Sequence, residues 1–368
     1  MKKNGALILI AAVVLLALLV GVVSGIRGSG ETDISFAPEN FVTRPVRAIT
    51  EGTPHGEISV GHIEVMNDRF YDRFPFSYQE MRTAAWLVEE LLSMGYTWDD
   101  IEVQEFSLEG VRPYTELAWI MDVIYFVDSS PFLNLGTRAS HRSQNVILTV
   151  PGQSEETIIV GAHYDSVMYP GASDNASGTA LLLESAQRMR DINQYYTIVY
   201  IFFGAEEGGL FGAFYYVNSL TQREHDNILF MLNADVLLDG ADLFYMAGYD
   251  AGGQSGANHI TETWDSIAQD MYVEHGINLI PWPVGIFGGS DQLAFLPWGH
   301  TVMFLLGMDL FEGWSADDGI HTMLGMTRVL HSPRDDVHYI NRAWPGKIDA
   351  NMQAFSLFLE ALLLASYN

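Results

Sequence analysis

The stretch Thr157-Ile-Ile-Val-Gly-Ala-His-Tyr-Asp-Ser166 runs from a β-branched, uncharged segment directly into a histidine and an aspartate. Four other short apolar runs resemble its first half, at Asn145–Val150, Thr197–Phe203, Ile228–Leu232 and Thr301–Leu306. Nearly continuous apolar runs of this length are typical of strands that are buried on both faces of a sheet. The sequence therefore predicts a central sheet that contains these five strands.

Helical segments lie between and around these strands. Gly178–Arg190 separates two of them, Ser77–Tyr96 precedes them with apolar residues at helical spacing, and Asp349–Ser366 forms a last apolar helix. Apolar strands that alternate with helices favour an α/β fold, a three-layer α/β/α domain with a mainly parallel sheet. We expect this domain to occupy residues 76–368, after an irregular stalk or linker over residues 31–75.

The first 30 residues differ from the rest of the chain. Two lysines precede an uncharged run over residues 4–26, which at ~1.5 Å per residue is long enough to cross a ~30 Å hydrocarbon layer. This pattern predicts a transmembrane signal anchor over residues 1–30 that crosses a lipid bilayer and leaves the following domain extracytoplasmic. The alternative is a signal peptide cleaved near Gly25, which would release a secreted protein.

Charge and cysteine content exclude several classes of function. The chain contains 46 Asp and Glu against 18 Lys and Arg, a net charge of −28, so it would repel a phosphate backbone and nucleic acid is not expected as a partner. It contains no cysteine, which rules out disulfides, thiol catalysis and cysteine-ligated metals. Any metal ion must be held by histidine and carboxylate side chains.

Possible metal ligands follow three of the predicted strands directly. His163 follows the first of them, the pair Glu206 and Glu207 follows the second, and Asp235 follows the third. Asp174 lies in a loop just before a predicted helix. Because the carboxyl ends of parallel strands meet at one edge of a sheet, we expect these side chains to converge there.

A second imidazole is available near the C-terminus. His331 precedes Ser-Pro after a long insertion, and His321 is its rival. Each acidic residue also has an ordinary explanation, as a helix cap or as a favourable charge at a helix N-terminus. Four such residues at one sheet edge favour a metal site over capping alone, and Zn²⁺ accepts mixed histidine and carboxylate ligands.

Five segments of the chain combine these residues with nearby small and polar residues. The segments are His163-Tyr164-Asp165, Ser173-Asp174-Asn175-x-Ser177-Gly178, Ala205-Glu206-Glu207-x-Gly209-Leu210-x-Gly212, Asn233-x-Asp235 and His331-Ser332-Pro333-x-Asp335. Taken together they resemble, in the same order, the signature segments of the zinc exopeptidases of metallopeptidase family twenty-eight, and the resemblance covers roughly Ser77 to Asn368. That family includes leucyl-type aminopeptidases, glutamate carboxypeptidases and, more distantly, glutaminyl cyclases.

The resemblance implies a fold like that of the zinc exopeptidases and two Zn²⁺ ions in each chain. Carried over residue by residue, His163 and Asp235 would hold one ion and Glu207 and His331 the other. Asp174 would bridge the two ions.

The resemblance also implies the catalytic roles. Glu206 would act as the general base on a water or hydroxide shared by the two metal ions. Asp165 would orient the imidazole of His163. The peptide bond between Asp174 and Asn175 is expected to be cis, as it tends to be in relatives.

Some positions depart from the family pattern. Several relatives carry a tyrosine directly before the last histidine to stabilise the oxyanion, where this chain has Leu330, and Tyr249 and Tyr339 are the candidates to replace it. Ser-Asp-Gln ending at Gln292 resembles a family Ser-Asp-His segment, a change that could alter substrate contacts. The insertion over residues 307–329 is expected to form either a lid or pocket wall or a surface loop.

These residues predict a metal-dependent aminopeptidase that releases N-terminal residues from peptides with a free N-terminus. A carboxypeptidase or a glutaminyl cyclase on the same scaffold is the alternative enzyme. A catalytically silent ectodomain that acts in protein interaction is the alternative of a different class. Silent relatives are expected to lose metal ligands, whereas this chain keeps all five.

Overall fold

The computed structural model describes residues 34–41, 52–115, 142–167, 169–247, 258–281, 289–308 and 329–367. The predicted anchor over residues 1–30 lies outside these ranges. Among the described helices, none combines the length and the apolar character needed to cross a membrane.

The described strands form one eight-stranded sheet in the order β1-β2-β4-β3-β5-β8-β6-β7. Its centre, β4-β3-β5-β8, is parallel, as the sequence predicted. Strand β2 is antiparallel to β4, β1 to β2 and β6 to β8, so the sheet as a whole is mixed. The strands are β1 Ile101–Ser107, β2 Arg142–Val150, β3 Thr157–His163, β4 Thr197–Phe203, β5 Ile228–Ala234, β6 Leu243–Ala247, β7 Leu279–Pro281 and β8 Val302–Gly307.

Helices cover both faces of the sheet, which gives the predicted three layers. Alternate strand residues face opposite ways, so Ile158 packs in the larger core with α1, α2, α4, α7 and α9, while Ile159 packs in a smaller core with α5. The α-helices are α1 Glu57–Arg69, α2 Tyr78–Ser93, α3 Leu108–Val111, α4 Gly178–Met189, α5 Phe211–Ser219, α6 Gln222–Asn227, α7 His259–His275, α8 Val337–Ala343 and α9 Lys347–Leu364.

The prediction of an irregular stalk over residues 31–75 is wrong for its second half. Helix α1 occupies that segment, and Ile63 and Met66 are fully buried in the larger core. The buried Glu184 of α4 accepts hydrogen bonds from the backbone N–H groups of Gly56 and Ser59, which fixes the start of α1. The domain therefore begins before residue 76. The sequence hid this helix because its buried face includes polar residues such as Ser59, which break the apolar periodicity.

Candidate metal centre

The structure brings together all seven predicted site residues at the carboxyl edge of the parallel strands. His163 ends β3, and Asp235 follows β5 directly. The loop after β4 supplies the two glutamates, and a turn before α4 supplies Asp174. These seven are His163, Asp165, Asp174, Glu206, Glu207, Asp235 and His331.

Asp174 lies between the two histidines. One of its carboxylate oxygens is 3.1 Å from Nε2 of His163, and the other is 2.9 Å from Nε2 of His331. Nε2 of His163 is also 3.2 Å from an oxygen of Asp235, and Nε2 of His331 is 3.2 Å from an oxygen of Glu207. The peptide bond between Asp174 and Asn175 is cis, as expected. Two clusters of donor atoms thus share one carboxylate.

Asp165 holds the loop that carries the two glutamates. Its two carboxylate oxygens accept hydrogen bonds from the backbone N–H groups of Glu206 and Glu207, each at 3.0 Å. One of the same oxygens lies 3.4 Å from Nδ1 of His163. The predicted contact between Asp165 and His163 is therefore present, but at 3.4 Å it is long. The hydrogen bonds from Asp165 to the glutamate loop were not predicted from the sequence.

Asp335 holds the turn that carries Asp174. Its carboxylate accepts hydrogen bonds from the backbone N–H groups of Ser173 and Asp174, at 2.6 and 3.0 Å. Burial, together with the charge of Asp174, raises the pKa of Asp335 to about 7. Asp335 is the last residue of the segment that begins at His331, and the sequence alone indicates no role for it.

Arg73 supports the site from a segment that the sequence assigned to a stalk. Its guanidinium is fully buried and donates to the backbone carbonyls of Phe70, Tyr164, Pro170 and Gly171. It therefore connects the end of β3 to the loop that leads to the turn carrying Asp174. A single arginine in an irregular segment gives no sequence signal for this role.

The buried carboxylates perturb one another and the two histidines. Burial raises the pKa of Glu206 well above its usual value and that of Glu207 to about 7. Burial by itself would lower the pKa of His163 and His331, but the surrounding carboxylates outweigh it and raise both well above the usual range. Burial also opposes ionisation of Asp174, yet its hydrogen bonds with both histidines lower its pKa. Such mutual perturbation is typical of functional sites.

A model of peptidase family M28 matches residues 145–356, which is more than half of the chain. This chain belongs to peptidase family M28. Aminopeptidase YwaD of Bacillus subtilis is 29% identical over 221 residues, which cover 57% of this chain and 43% of that relative. Leucine aminopeptidase 1 of Fusarium vanettenii is 30% identical over 246 residues, which cover 60% of this chain and 57% of that relative. The match spans less than two thirds of either curated relative.

Solved structures of other proteins have a similar fold. A zinc aminopeptidase from Bacillus subtilis superposes with a TM-score of 0.60 at 16% identity, over 84% of this chain and 95% of that one. A glutaminyl cyclase from Tannerella forsythia also gives 0.60, at 17% identity, over 85% of this chain and 99% of that one. At these identities the likeness concerns the fold.

The donor set of this M28 chain fits zinc. Oε1 of Glu207 is buried without a hydrogen-bond partner in the described part of the chain. A buried carboxylate oxygen without a partner is costly, and a divalent cation that accepts imidazole and carboxylate ligands would remove that cost. Two groups of side chains each bring three possible ligand atoms within 4.8 Å of one another, namely His163 with Glu206 and Asp235, and Asp174 with Glu207 and His331.

The structure describes some of the positions that depart from the M28 pattern. Tyr339 packs against Trp344 and lies under the guanidinium of Arg334, so its role at an oxyanion stays a prediction. The side-chain amide of Asn233 donates to Gln292, which places Gln292 against the end of β5. Tyr249, His321 and most of the insertion over residues 307–329 lie outside the described residues.

Asp291, one residue before Gln292, adds a further carboxylate beside the M28 site. It is fully buried, and burial raises its pKa well above the usual value. Its charge in turn raises the pKa of Glu206. In the sequence, Asp291 is recognisable only as the middle residue of the Ser-Asp-Gln segment, which indicates no position beside the site.

Proposed function

We propose that the chain is a metal-dependent aminopeptidase that removes N-terminal residues from peptides. The observation that carries this proposal is the position of Asp174, whose two oxygens each lie within about 3 Å of a histidine from a different donor cluster. Membership of family M28 and the aminopeptidase names of its curated relatives support the same function.

Two zinc ions are the proposed cofactors. His163 and Asp235 would hold one ion, Glu207 and His331 the other, and Asp174 would bridge them. The distances between these side chains support this assignment, since each histidine Nε2 approaches its own carboxylate partner at 3.2 Å. When bound, the ions would supply electrostatic polarisation of the scissile carbonyl and a more acidic water.

Glu206 is the proposed general base. Its carboxylate is 3.9 Å from Nε2 of His163, farther than the carboxylates of Asp174 and Asp235, so it lies beside the cluster. The Glu206 carboxylate would take the proton of the attacking water and return it to the leaving amine.

An apolar cluster next to the proposed ligands supports substrates with an apolar N-terminal side chain. Val236 directly follows Asp235, and the partly buried Leu330 directly precedes His331. Both belong to one cluster with Phe304 and other apolar side chains. Val236 and Phe304 are buried, but Leu330 keeps part of its side chain exposed, so it would offer an apolar contact to a substrate held at the ligands.

A peptide library tests the activity and its direction. We expect the full-length chain, purified in mild detergent with zinc, to release single residues from free N-termini, preferentially apolar ones, as read by mass spectrometry. A chelator should abolish the release, and N-acetylated peptides should stay intact. Trimming from the C-terminus, or loss of ammonia from N-terminal glutamine, would replace the proposal with carboxypeptidase or cyclase activity. No change in any peptide with two zinc ions bound would favour a binding role.

We further propose that residues 4–26 anchor the chain in a lipid bilayer with the peptidase domain extracytoplasmic. The length of this uncharged run and the two lysines before it support the anchor. In cells that express the full chain, we expect the protein in the membrane fraction after alkaline extraction, and in the soluble fraction when residues 4–26 are deleted. If cells that express the full chain release the peptidase domain into the medium, a cleaved signal peptide would be favoured.

A further inference from the structure

The loop between β4 and α5 is held by two buried carboxylates from distant parts of the chain. Three successive backbone N–H groups, those of Ala205, Glu206 and Glu207, point at these carboxylates. Asp165 accepts from Glu206 and Glu207, and Glu80, in the first turn of α2, accepts from Ala205 at 2.8 Å. Glu80 therefore fixes the backbone just before the two glutamates, and Asp165 fixes the backbone of the glutamates themselves.

Glu80 also binds two other groups. Its carboxylate accepts from the hydroxyl of Ser143 at 2.7 Å and from the backbone N–H of Phe76 at 2.6 Å. Phe76 and Ala205 both have left-handed backbones, with φ of 58° and 55°. Residues with a Cβ persist in that conformation only where their surroundings enforce it. One carboxylate thus holds two strained positions, one of which begins the glutamate loop.

The cost of Glu80 argues against a purely structural role. Its side chain is fully buried, and burial, together with the charge of Asp165, raises its pKa well above the usual value. Apolar packing already joins the segment before α2 to the loop between β4 and α5, since Phe76, Ala205 and Phe211 belong to one cluster. Apolar packing stabilises such a junction without the desolvation cost of a carboxylate. The group that Glu80 adds is an acceptor for the N–H of Ala205.

We propose that Glu80 is a positioning residue for Glu206 and Glu207. It fixes the backbone of Ala205, so that two consecutive glutamate side chains reach different partners, one near His163 and the other near His331. This inference rests on the proposed function, because it assigns Glu80 to the loop that carries the base and one metal ligand. It adds a contribution from α2, which lies outside the residues matched by the M28 model.

The variant Glu80→Gln tests the proposal, with Glu90→Gln as the matched control. Glu90 is a buried glutamate on the same helix whose carboxylate accepts from the indole of Trp86. One carboxylate oxygen of Glu80 accepts from Phe76, and the other accepts from both Ser143 and Ala205. Glutamine keeps one neutral acceptor oxygen, so the bond to Ala205 is weakened when that oxygen faces Ala205 and lost when it faces Phe76. We expect kcat of the full-length, zinc-loaded chain to fall about 10- to 100-fold with KM changed less than about threefold, as for a misplaced catalytic group.

Two readouts separate positioning from general destabilisation. Hydrogen exchange at the amides of residues 205–207 should accelerate at least about tenfold in Glu80→Gln and stay unchanged in Glu90→Gln, since exchange reports local opening. The milder variant Ser143→Ala removes one donor to Glu80 and should give a smaller change in the same direction, even if Glu80→Gln does not fold. Unchanged exchange at these amides, or a loss of kcat no greater than that of Glu90→Gln, would overturn the proposal.

The same experiment separates failure of the proposed function from failure of the role of Glu80. If the parent chain releases no residue from any peptide, the aminopeptidase assignment fails. Amide exchange and the affinity of Glu80→Gln for zinc then still decide the positioning role, because Glu207 belongs to the held loop. Faster exchange with weaker zinc binding would support positioning, and neither change would overturn it.

Discussion

Replacing Glu206 by glutamine is expected to lower kcat about 1,000-fold while the two proposed zinc ions stay bound. General bases typically contribute 10²- to 10⁴-fold to the rate, and glutamine keeps the size of the side chain but cannot take a proton. KM should change only a few-fold, because the interaction that is lost is made in the transition state. Steady-state kinetics on peptide substrates and zinc content by elemental analysis measure both quantities.

The comparison with Glu207→Gln makes this test specific. Glu206 and Glu207 are adjacent in the chain, yet Glu207 approaches His331 at 3.2 Å whereas Glu206 stays 3.9 Å from His163. We therefore expect Glu207→Gln to lose zinc as well as activity. Because Glu206 lies within reach of the cluster formed by His163 and Asp235, a loss of zinc in Glu206→Gln would make it a ligand instead. More than about a tenth of the parent activity in that variant would contradict the role of base.

The centre of the fold was readable from the sequence, and its edges were not. Strands β3, β4, β5 and β8 are covered on both faces, so each is a continuous apolar run. Edge strand β1 contains Glu102, Gln104 and Glu105 and buries only Ile101 and Phe106, so it gives no such pattern. Helix α1 buries polar residues such as Ser59 and Asn67, so the sequence alone predicts a stalk there. In both cases tertiary contacts, rather than local periodicity, determine the element.

Among the proposed ligands, Asp174 and His331 were assigned from the family resemblance, whereas His163, Glu207 and Asp235 could also be placed because they end or follow strands whose ends meet at one edge. Their supports could not be placed in the same way. Arg73 binds the carbonyl of Tyr164 across 91 positions of sequence, and Glu80 binds the N–H of Ala205 across 125. Asp335 acts through the backbone of Asp174. Single charged residues that bind distant backbone groups show neither periodicity nor motif, so only the folded structure identifies them.

Asp174→Asn is expected to have the second large effect, because it acts on both donor clusters at once. The amide keeps one oxygen but replaces the other with an NH₂ group, which cannot ligate a metal ion. The variant should hold at most one zinc ion and lose at least about 1,000-fold in kcat. It also leaves His163 or His331 without the carboxylate oxygen that now lies within 3.1 Å or 2.9 Å of it.

Thermal unfolding with and without zinc measures the same loss independently of catalysis. A ligand that binds only the folded state stabilises it by about 2.7 kcal/mol at a hundredfold excess over Kd. Zinc should therefore raise the unfolding midpoint of the parent chain clearly and that of Asp174→Asn much less. The matched control is Asp265→Asn. Asp265 lies on α7 and accepts a hydrogen bond from the hydroxyl of Tyr245, so this variant should keep the full response to zinc. A normal zinc response and two bound ions in Asp174→Asn would show that no bridging carboxylate is needed, and the shared-carboxylate centre would have to be abandoned.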